Sequence, residues 1–347
     1  VEAPTFALYL AIFFVSLALS SLLVPLLRKI AFRYSVLDRP NQSHKTHKES
    51  IPYLGGLAIV IPVLLLVFFG PLIFIENSNY SLQVALFLLP ALILALVGLY
   101  DDIKSLSASS RFFVQSIVAV SAALYLSQLG YSVSILGNDI ANLLLSIFWL
   151  VGITNAFNFF DNLDGGATGI TFVASLTLFL LALLGDQYLI SSISLALAGA
   201  SLGFLWWNRN PARIYLGDSG ALFIGFILAI SLLQFEPNVE SRVASALIPV
   251  FILALPIIDT SVAVVSRFLI GVSIFQGGKD HLSHRLISLG FSRKKSAHSL
   301  WSLSALLSSL SFLISSVSKD TGLGISLLGL FFMGFLVIWF LRIEIDT

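Results

Sequence analysis

The chain has no cysteine and few charges: only 11% of its 347 residues are Asp, Glu, Lys or Arg. Without thiols, disulfides and thiolate metal sites are excluded. Soluble domains carry about 25% charged residues. A chain with less than half that share and 57% hydrophobic residues is no ordinary soluble enzyme. The net charge of +1 says little, because it averages over lipid-buried and wet segments. A low-complexity tract, an internal repeat and a separate polar domain are also missing. No basic stretch precedes the first apolar run, so a cleaved signal peptide is not expected.

What the chain does have is a series of long apolar runs. A helix needs about 20 predominantly apolar residues to cross a bilayer core. Stretches free of Asp, Glu, Lys and Arg run 3–27, 50–75, 77–100, 112–138, 140–160, 165–185, 187–208, 219–235, 243–258, 296–318 and 321–341. The ninth is interrupted by Asp259 and then stays apolar to Ser266. The pattern predicts an all-α, polytopic integral membrane protein of about eleven transmembrane helices.

Seventeen of the nineteen Lys and Arg residues fall in every second gap, and only Arg242 and Lys319 fall in the others. Basic loops stay in the cytoplasm. The expected topology therefore has the N-terminus outside, the C-terminus cytoplasmic, and one working face on the cytoplasmic side. Trp206, Trp207, Trp301 and Trp339 fall near cytoplasmic span ends, where an interfacial aromatic belt is expected.

The polar motifs crowd the same gaps. The first inner loop carries Asp38, Asn41, His44, Lys45, His47 and Lys48, then Gly55 and Gly56, a pair that allows close backbone approach to a ligand. Asp101 and Asp102 follow an apolar span directly, and two adjacent carboxylates repel unless a cation sits nearby. Asn155, Asn158, Asp161 and Asp164 recur every third residue, which lines amides and carboxylates along one face of a helix end. Polar groups at that depth are expensive unless they face a polar cavity or a partner.

Glycines flank Asp218-Ser219, leaving backbone amides open to phosphate oxygens while the Asp can hold Mg²⁺. Asp259 stands inside a span, either a functional carboxylate or half of a buried pair with a nearby Arg. His281 and His284 share a helical face and, with His44 and His47, raise a zinc site as a rival. Zinc sites on helices more often use a spacing of four with an acidic partner. His and Arg gripping phosphates account for the same residues better. Carboxylates, a divalent cation and several basic groups suit the handling of a diphosphate.

In this order the motifs resemble those of the polyprenyl-phosphate N-acetylhexosamine-1-phosphate transferases. The matches are Asp38-x-Pro-Asn41, Lys45-x-His47, Ile51-Pro-x-x-Gly-Gly56, Asp101-Asp102, Asn155-x-x-Asn158-x-x-Asp161-x-x-Asp164-Gly165, Leu216-Gly-Asp218-Ser-Gly220, Pro256-Ile-Ile-Asp259 and His281-x-x-His284-Arg285. The resemblance implies one membrane-embedded transferase domain, 1–347, with catalytic cytoplasmic loops 28–52, 101–111, 158–166, 208–218 and 268–296. It implies transfer of a sugar 1-phosphate from a UDP-N-acetylhexosamine to undecaprenyl phosphate in the inner membrane, with release of UMP.

The implied cofactor is Mg²⁺, or Mn²⁺ in its place, on Asp218 and Asp161. The implied catalytic residues are Asp101, Asp102, Asp161, Asp218, His281 and His284, with Asp101 and Asp102 handling the lipid phosphate. Lys45, His47, Lys48, Asn155, Asn158, Asp164 and Arg285 would bind substrate. Membrane lipid is a partner, nucleic acid is not, and a homodimer is left open.

Two departures from the family pattern stand out. Asp161-Asn162-Leu-Asp164-Gly-Gly166 replaces the frequent Asp-Gly-x-Asp-Gly-Leu, and His44 stands where many relatives have Arg. The His loop lacks the three consecutive His typical of the phospho-MurNAc-pentapeptide branch. It looks instead like the branch that primes O-antigen, common-antigen or teichoic-acid synthesis, with a simple N-acetylhexosamine donor such as N-acetylglucosamine. A phosphate monoester is mostly dianionic at pH 7, its second pKa being about 6. Direct in-line attack is thus expected over an aspartyl-phosphate route. A transporter is the rival from another class, but transporters place charges at the midplane and repeat their halves.

Overall fold

The structure is a computed structural model that describes residues 5–38, 50–74, 78–274 and 278–345. Helices dominate: α1 (Phe6–Arg33), α2 (Leu57–Phe74), α3 (Ser78–Lys104), α4 (Ala108–Gln128), α5 (Asp139–Phe160), α6 (Gly166–Leu184) and α7 (Tyr188–Asn208). They continue with α8 (Gly217–Gln234), α9 (Arg242–Ile252), α10 (Ala254–Ile270), α11 (Leu282–Ser288), α12 (Arg293–Ser316) and α13 (Lys319–Leu341). Two short strands, β1 (Leu37–Asp38) and β2 (Ile51–Pro52), pair antiparallel with Leu37 opposite Pro52. Local chemistry sets several starts. The side chains of Thr5, Ser107, Asn138, Ser241 and Ser292 each accept a first-turn amide of α1, α4, α5, α9 and α12, satisfying donors the helix itself leaves open.

Among the described residues, α1, α4, α5, α6, α7, α8, α12 and α13 are each long and apolar enough to cross a membrane. The α9–α10 pair makes a ninth span if counted as one. α2 and α3 stand at the second and third apolar stretches. The chain is an all-α, multi-pass membrane protein.

The ninth stretch is not the continuous helix its composition suggests, because α9 and α10 meet at a 77° bend. The cause is local. In an unbroken helix the amide of residue 256 would bond Ile252, but Pro256 has no N–H. The Ile252 carbonyl is taken instead by the Ser308 hydroxyl at 3.3 Å, and Ser311 does the same for Ile248.

α8 stands at the centre. It is apolar around its whole circumference, and every residue except Asp218 and Gln234 is buried, as expected of a helix enclosed by others. α3 packs so closely on its start that a Cβ on Gly98 would lie 2.4 Å from the Asp218 carbonyl. The Gly55-Gly56 pair, expected to admit a ligand, serves a similar contact. Gly55 N donates to Tyr215 O at 3.0 Å and Gly56 N to Leu216 O at 2.8 Å. A Cβ on Gly56 would meet Gly220 N at 2.2 Å, so what approaches these glycines is the chain leading into α8. Trp206 and Trp339 are exposed as an interfacial belt requires. Trp207 and Trp301 are partly buried and donate inward, to Ser21 and to the Gly165 carbonyl.

Candidate active site

Asp101, Asp102, Asn158, Asp161 and Asp218 come from three separate segments and meet at the start of α8. Asp102, on the last turn of α3, accepts Asp218 N at 2.8 Å and Ser219 N at 3.2 Å. A carboxylate on these open amides also meets the positive end of the α8 dipole. Asn158, near the end of α5, donates to Asp218 Oδ1 at 2.7 Å. Arg111, in the first turn of α4, bridges two carboxylates. Its Nη1 reaches Asp101 Oδ2 at 2.5 Å and also Asp218 Oδ2. Asp101 Oδ1 in turn accepts the Leu106 amide at the turn between α3 and α4.

Asp161 follows α5 and accepts the Gly217 amide. Burial, then the neighbouring Asp102 and Asp164 carboxylates, push Asp161 up to about 7. Burial is the larger cause, and the two neighbouring carboxylates add to it, so a nearby cation would favour the charged form.

Asp164 has a different setting. Its Oδ2 accepts Asn210 Nδ2 at 2.7 Å and Ala212 N at 3.1 Å, tying the 208–214 loop to the α5–α6 corner. Asn208 completes the tie by accepting Gly165 N and Thr168 Oγ1 and donating to Ile214 O. Asn155 Nδ2 bonds its own helix at Val151 O.

The histidine loop folds into a second, buried network. Asp259 is fully buried on α10 and pairs with His281 Nδ1 at 2.7 Å, while its other oxygen accepts Leu282 N at 2.7 Å. Arg267 chelates Asp280 through Nε at 2.6 Å and Nη2 at 2.9 Å and approaches His281 Nε2 at 3.3 Å. Burial alone would raise Asp280, but the Arg267 guanidinium holds it below its ordinary value. Both ring nitrogens of His281 thus have partners inside the protein. Arg285 is turned the same way, donating to Phe340 O, Ile343 O and Ser266 Oγ, so its donors terminate α13 rather than reach outward.

His284 alone of the pair is partly exposed. Burial, then the positive field of His281 and Arg293, lowers it to about 4, so it is neutral at pH 7. The network touches the first cluster through the edge of Phe159 against the His281 ring and through Ser283 Oγ on Asn162 Oδ1.

The donor set can be tested against the implied cation. Among the described residues no three His, Cys, Asp or Glu side chains are grouped to hold a metal by themselves. Mg²⁺ is usually held by one or two carboxylates with substrate phosphates and water completing the shell. Asp161 accepts the amide of Gly217, the residue before Asp218, so two hard carboxylate donors flank one turn. One Asp218 oxygen is held by Asn158 and the other by Arg111, which a bound cation would have to share or displace. The rival zinc set finds no support from His281, which is fully engaged; His44 and His47 lie outside the described residues, as do Lys45 and Lys48.

Comparison with known proteins bears on this arrangement. Residues 84–236 match the model of glycosyl transferase family 4. The chain is 33% identical over 329 residues to a protein of Bacillus subtilis (strain 168) named probable undecaprenyl-phosphate N-acetylglucosaminyl 1-phosphate transferase, covering 92% of this chain and 89% of the relative. The chain belongs to glycosyl transferase family 4. A decaprenyl-phosphate N-acetylglucosaminephosphotransferase of Mycobacterium tuberculosis is 30% identical over 77% of this chain and 73% of its own length. A phospho-N-acetylmuramoyl-pentapeptide-transferase of Bacillus cytotoxicus is 29% identical over 87% of this chain and 95% of its own.

The family segment 84–236 contains every residue of the first cluster, whereas the histidine network lies beyond it. Arg111 is the cluster member that motif spacing left unassigned. Its signal was its placement, a basic residue opening α4 seven positions after Lys104, yet nothing local says which carboxylates it meets.

Proposed function

We propose that the chain transfers N-acetylhexosamine 1-phosphate, with N-acetylglucosamine as the expected sugar, from a UDP-sugar to undecaprenyl phosphate, releasing UMP. The supporting observation is the convergence of Asp101, Asp161 and Asp218 with Arg111 and Asn158 at the buried start of α8. The names of the relatives agree with it, since two of them carry N-acetylglucosamine phosphate transfer to a polyprenyl phosphate in their names. We further place eleven spans in the inner membrane, N-terminus outside, with this cluster on the cytoplasmic face where the basic residues crowd.

Asp218 and Asp161 would hold Mg²⁺, which when bound neutralises the diphosphate and stabilises charge in the pyrophosphate transition state. Asp102 acts as a positioning residue, fixing the turn that presents Asp218. Asn158 orients the Asp218 carboxylate, and Arg111 offsets the repulsion between Asp218 and Asp101 while offering donors to an incoming phosphate. The lipid phosphate is already mostly dianionic at pH 7, its second pKa being about 6. No side chain has to remove a proton, so the residues need only bring two anions together in line. Neutral His284, with Lys45, His47 and Lys48 of the first inner loop, would contact the nucleotide and its phosphates.

The test is incubation of the purified protein with undecaprenyl phosphate and a panel of UDP-sugars, following Mg²⁺-dependent UMP release. Release with UDP-N-acetylglucosamine supports the proposal. Release only with UDP-MurNAc-pentapeptide would move the chain to the activity named for its Bacillus cytotoxicus relative. No release with any donor would favour a transporter or scaffold.

A further inference from the structure

A crevice of about 860 Å³ opens among α1, α7 and α12, beside the α5–α6 corner. That volume is within the range of small-molecule sites, about 300–1,000 Å³. Arg111, Asp101, Asp161 and Asp218 are not among its walls. Its one carboxylate is Asp164, whose Oδ2 is already held by Asn210 and the Ala212 amide. Four basic side chains, Arg209, Arg213, Lys294 and His298, stand at its rim. The first three carry formal positive charge against the single negative charge of Asp164, which leaves the crevice with an excess of positive charge.

The other walls are apolar. Leu17 on α1 and Leu202 and Leu205 on α7 line it. At 1.5 Å per residue, Leu202 lies about 10 Å along α7 from Arg209, towards the membrane interior. Trp206 joins the two zones, with the Arg209 guanidinium stacked 4.0 Å over its ring. That pairing holds a cation where an apolar wall ends, the arrangement of a membrane interface. The crevice is therefore cationic at one end and greasy at the other, along a helix that spans the bilayer. A free anion would use only the first half, and a neutral lipid only the second.

We propose that this crevice seats an anionic phospholipid from the leaflet on the side of the Asp218 turn. Its phosphate lies against Arg213 and Lys294, and its first acyl methylenes lie along Leu202 and Leu205. Basic pockets between membrane helices take such head groups. The inference does not depend on which sugar is transferred, nor on transfer itself.

Delipidated protein in detergent, titrated by native mass spectrometry, tests it. Dioleoylphosphatidylglycerol is expected to bind about tenfold or more tighter than dioleoylphosphatidylcholine. The double variant Arg213→Gln, Lys294→Gln is expected to lose about tenfold or more of that affinity while its melting temperature stays that of wild type without lipid. Glycerol 3-phosphate at equal concentration is expected not to compete. Equal binding of the two lipids, or unchanged binding by the double variant, overturns the proposal. Competition by glycerol 3-phosphate would show a soluble-anion site instead. Displacement by undecaprenyl phosphate, with loss of its binding in the double variant, would assign the crevice to the acceptor.

Discussion

Asp102 reaches from the end of α3 to the first amides of α8, holding Asp218 N at 2.8 Å and Ser219 N at 3.2 Å. The contact joins helices that the sequence separates by more than a hundred residues, and it fixes where Asp218 points. Truncation in Asp102→Ala leaves two amides without partners, at a cost of about 1–3 kcal/mol each where water does not replace the carboxylate. The expected outcome is a lower melting temperature in detergent together with loss of turnover. Asp102→Asn keeps one acceptor and is expected to recover part of the stability. A variant that melts like wild type would show that Asp102 does not hold the turn.

Asp218→Asn preserves shape and removes charge. With Asn158 still in place the protein is expected to fold normally, while transfer drops by about a thousandfold or more, since one ligand charge is worth several kcal/mol in the transition state. UMP release within tenfold of wild type would show that another carboxylate carries the role.

His281 faces a different consequence. Its removal in His281→Ala leaves Asp259 buried with one partner fewer, and breaking a buried pair costs about 3–5 kcal/mol. The variant is expected to lose thermal stability first, with activity falling as a result. His284→Ala, at a partly exposed position, is expected to keep stability and weaken UDP-sugar binding measured by calorimetry. If His281→Ala melts like wild type but no longer binds nucleotide, the ring contacts substrate rather than Asp259.

His284 also carries a pH signature. Its folded value is lowered to about 4, by burial first and then by the nearby positive groups, from about 6.5 in an unfolded chain. The unfolded chain therefore binds the extra proton across that window, and stability falls as pH drops from 6.5 towards 4. Above 6.5 the residue has no effect. Melting curves of His284→Gln between pH 7 and 4 are expected to fall less steeply than those of wild type.

The absence of native cysteine makes topology directly testable. Single cysteines replacing the exposed Ser109 and Ser288 are expected to react with an impermeant maleimide only from the cytoplasm, and one replacing Ser318 only from outside. Labelling of Ser288 and Ser318 positions from one side would sink the one-face arrangement.

Much of this molecule can be read along the chain. Apolar length predicts the helices because the bilayer sets a single scale, and Asp101, Asn158, Asp161 and Asp218 do converge. The parts that could not be read are pairings across distance. Spacing shows that Arg285 follows His284, but not that its guanidinium turns back to the carbonyls ending α13. Gly55-Gly56 suggests a close approach without saying that the visitor is the Tyr215–Gly220 segment. Asp259 looks like an isolated membrane carboxylate until the 280s loop brings His281 to it. The bend at Leu253 had a local sign in Pro256, which a count of apolar residues overlooks.

The enclosure of α8 has a mechanical consequence. α1 and α13 expose most of their apolar surface, whereas α8 is sheathed by its neighbours over nearly its whole length. Bilayers of different thickness act on proteins by tilting the helices they touch, so the outer helices would absorb such strain before α8 moved. The depth of Asp218 is then a property of the protein's own packing. Lipid chain length would alter the tilt of α1 and α13 far more than the position of Asp218 and the carboxylates gathered around it.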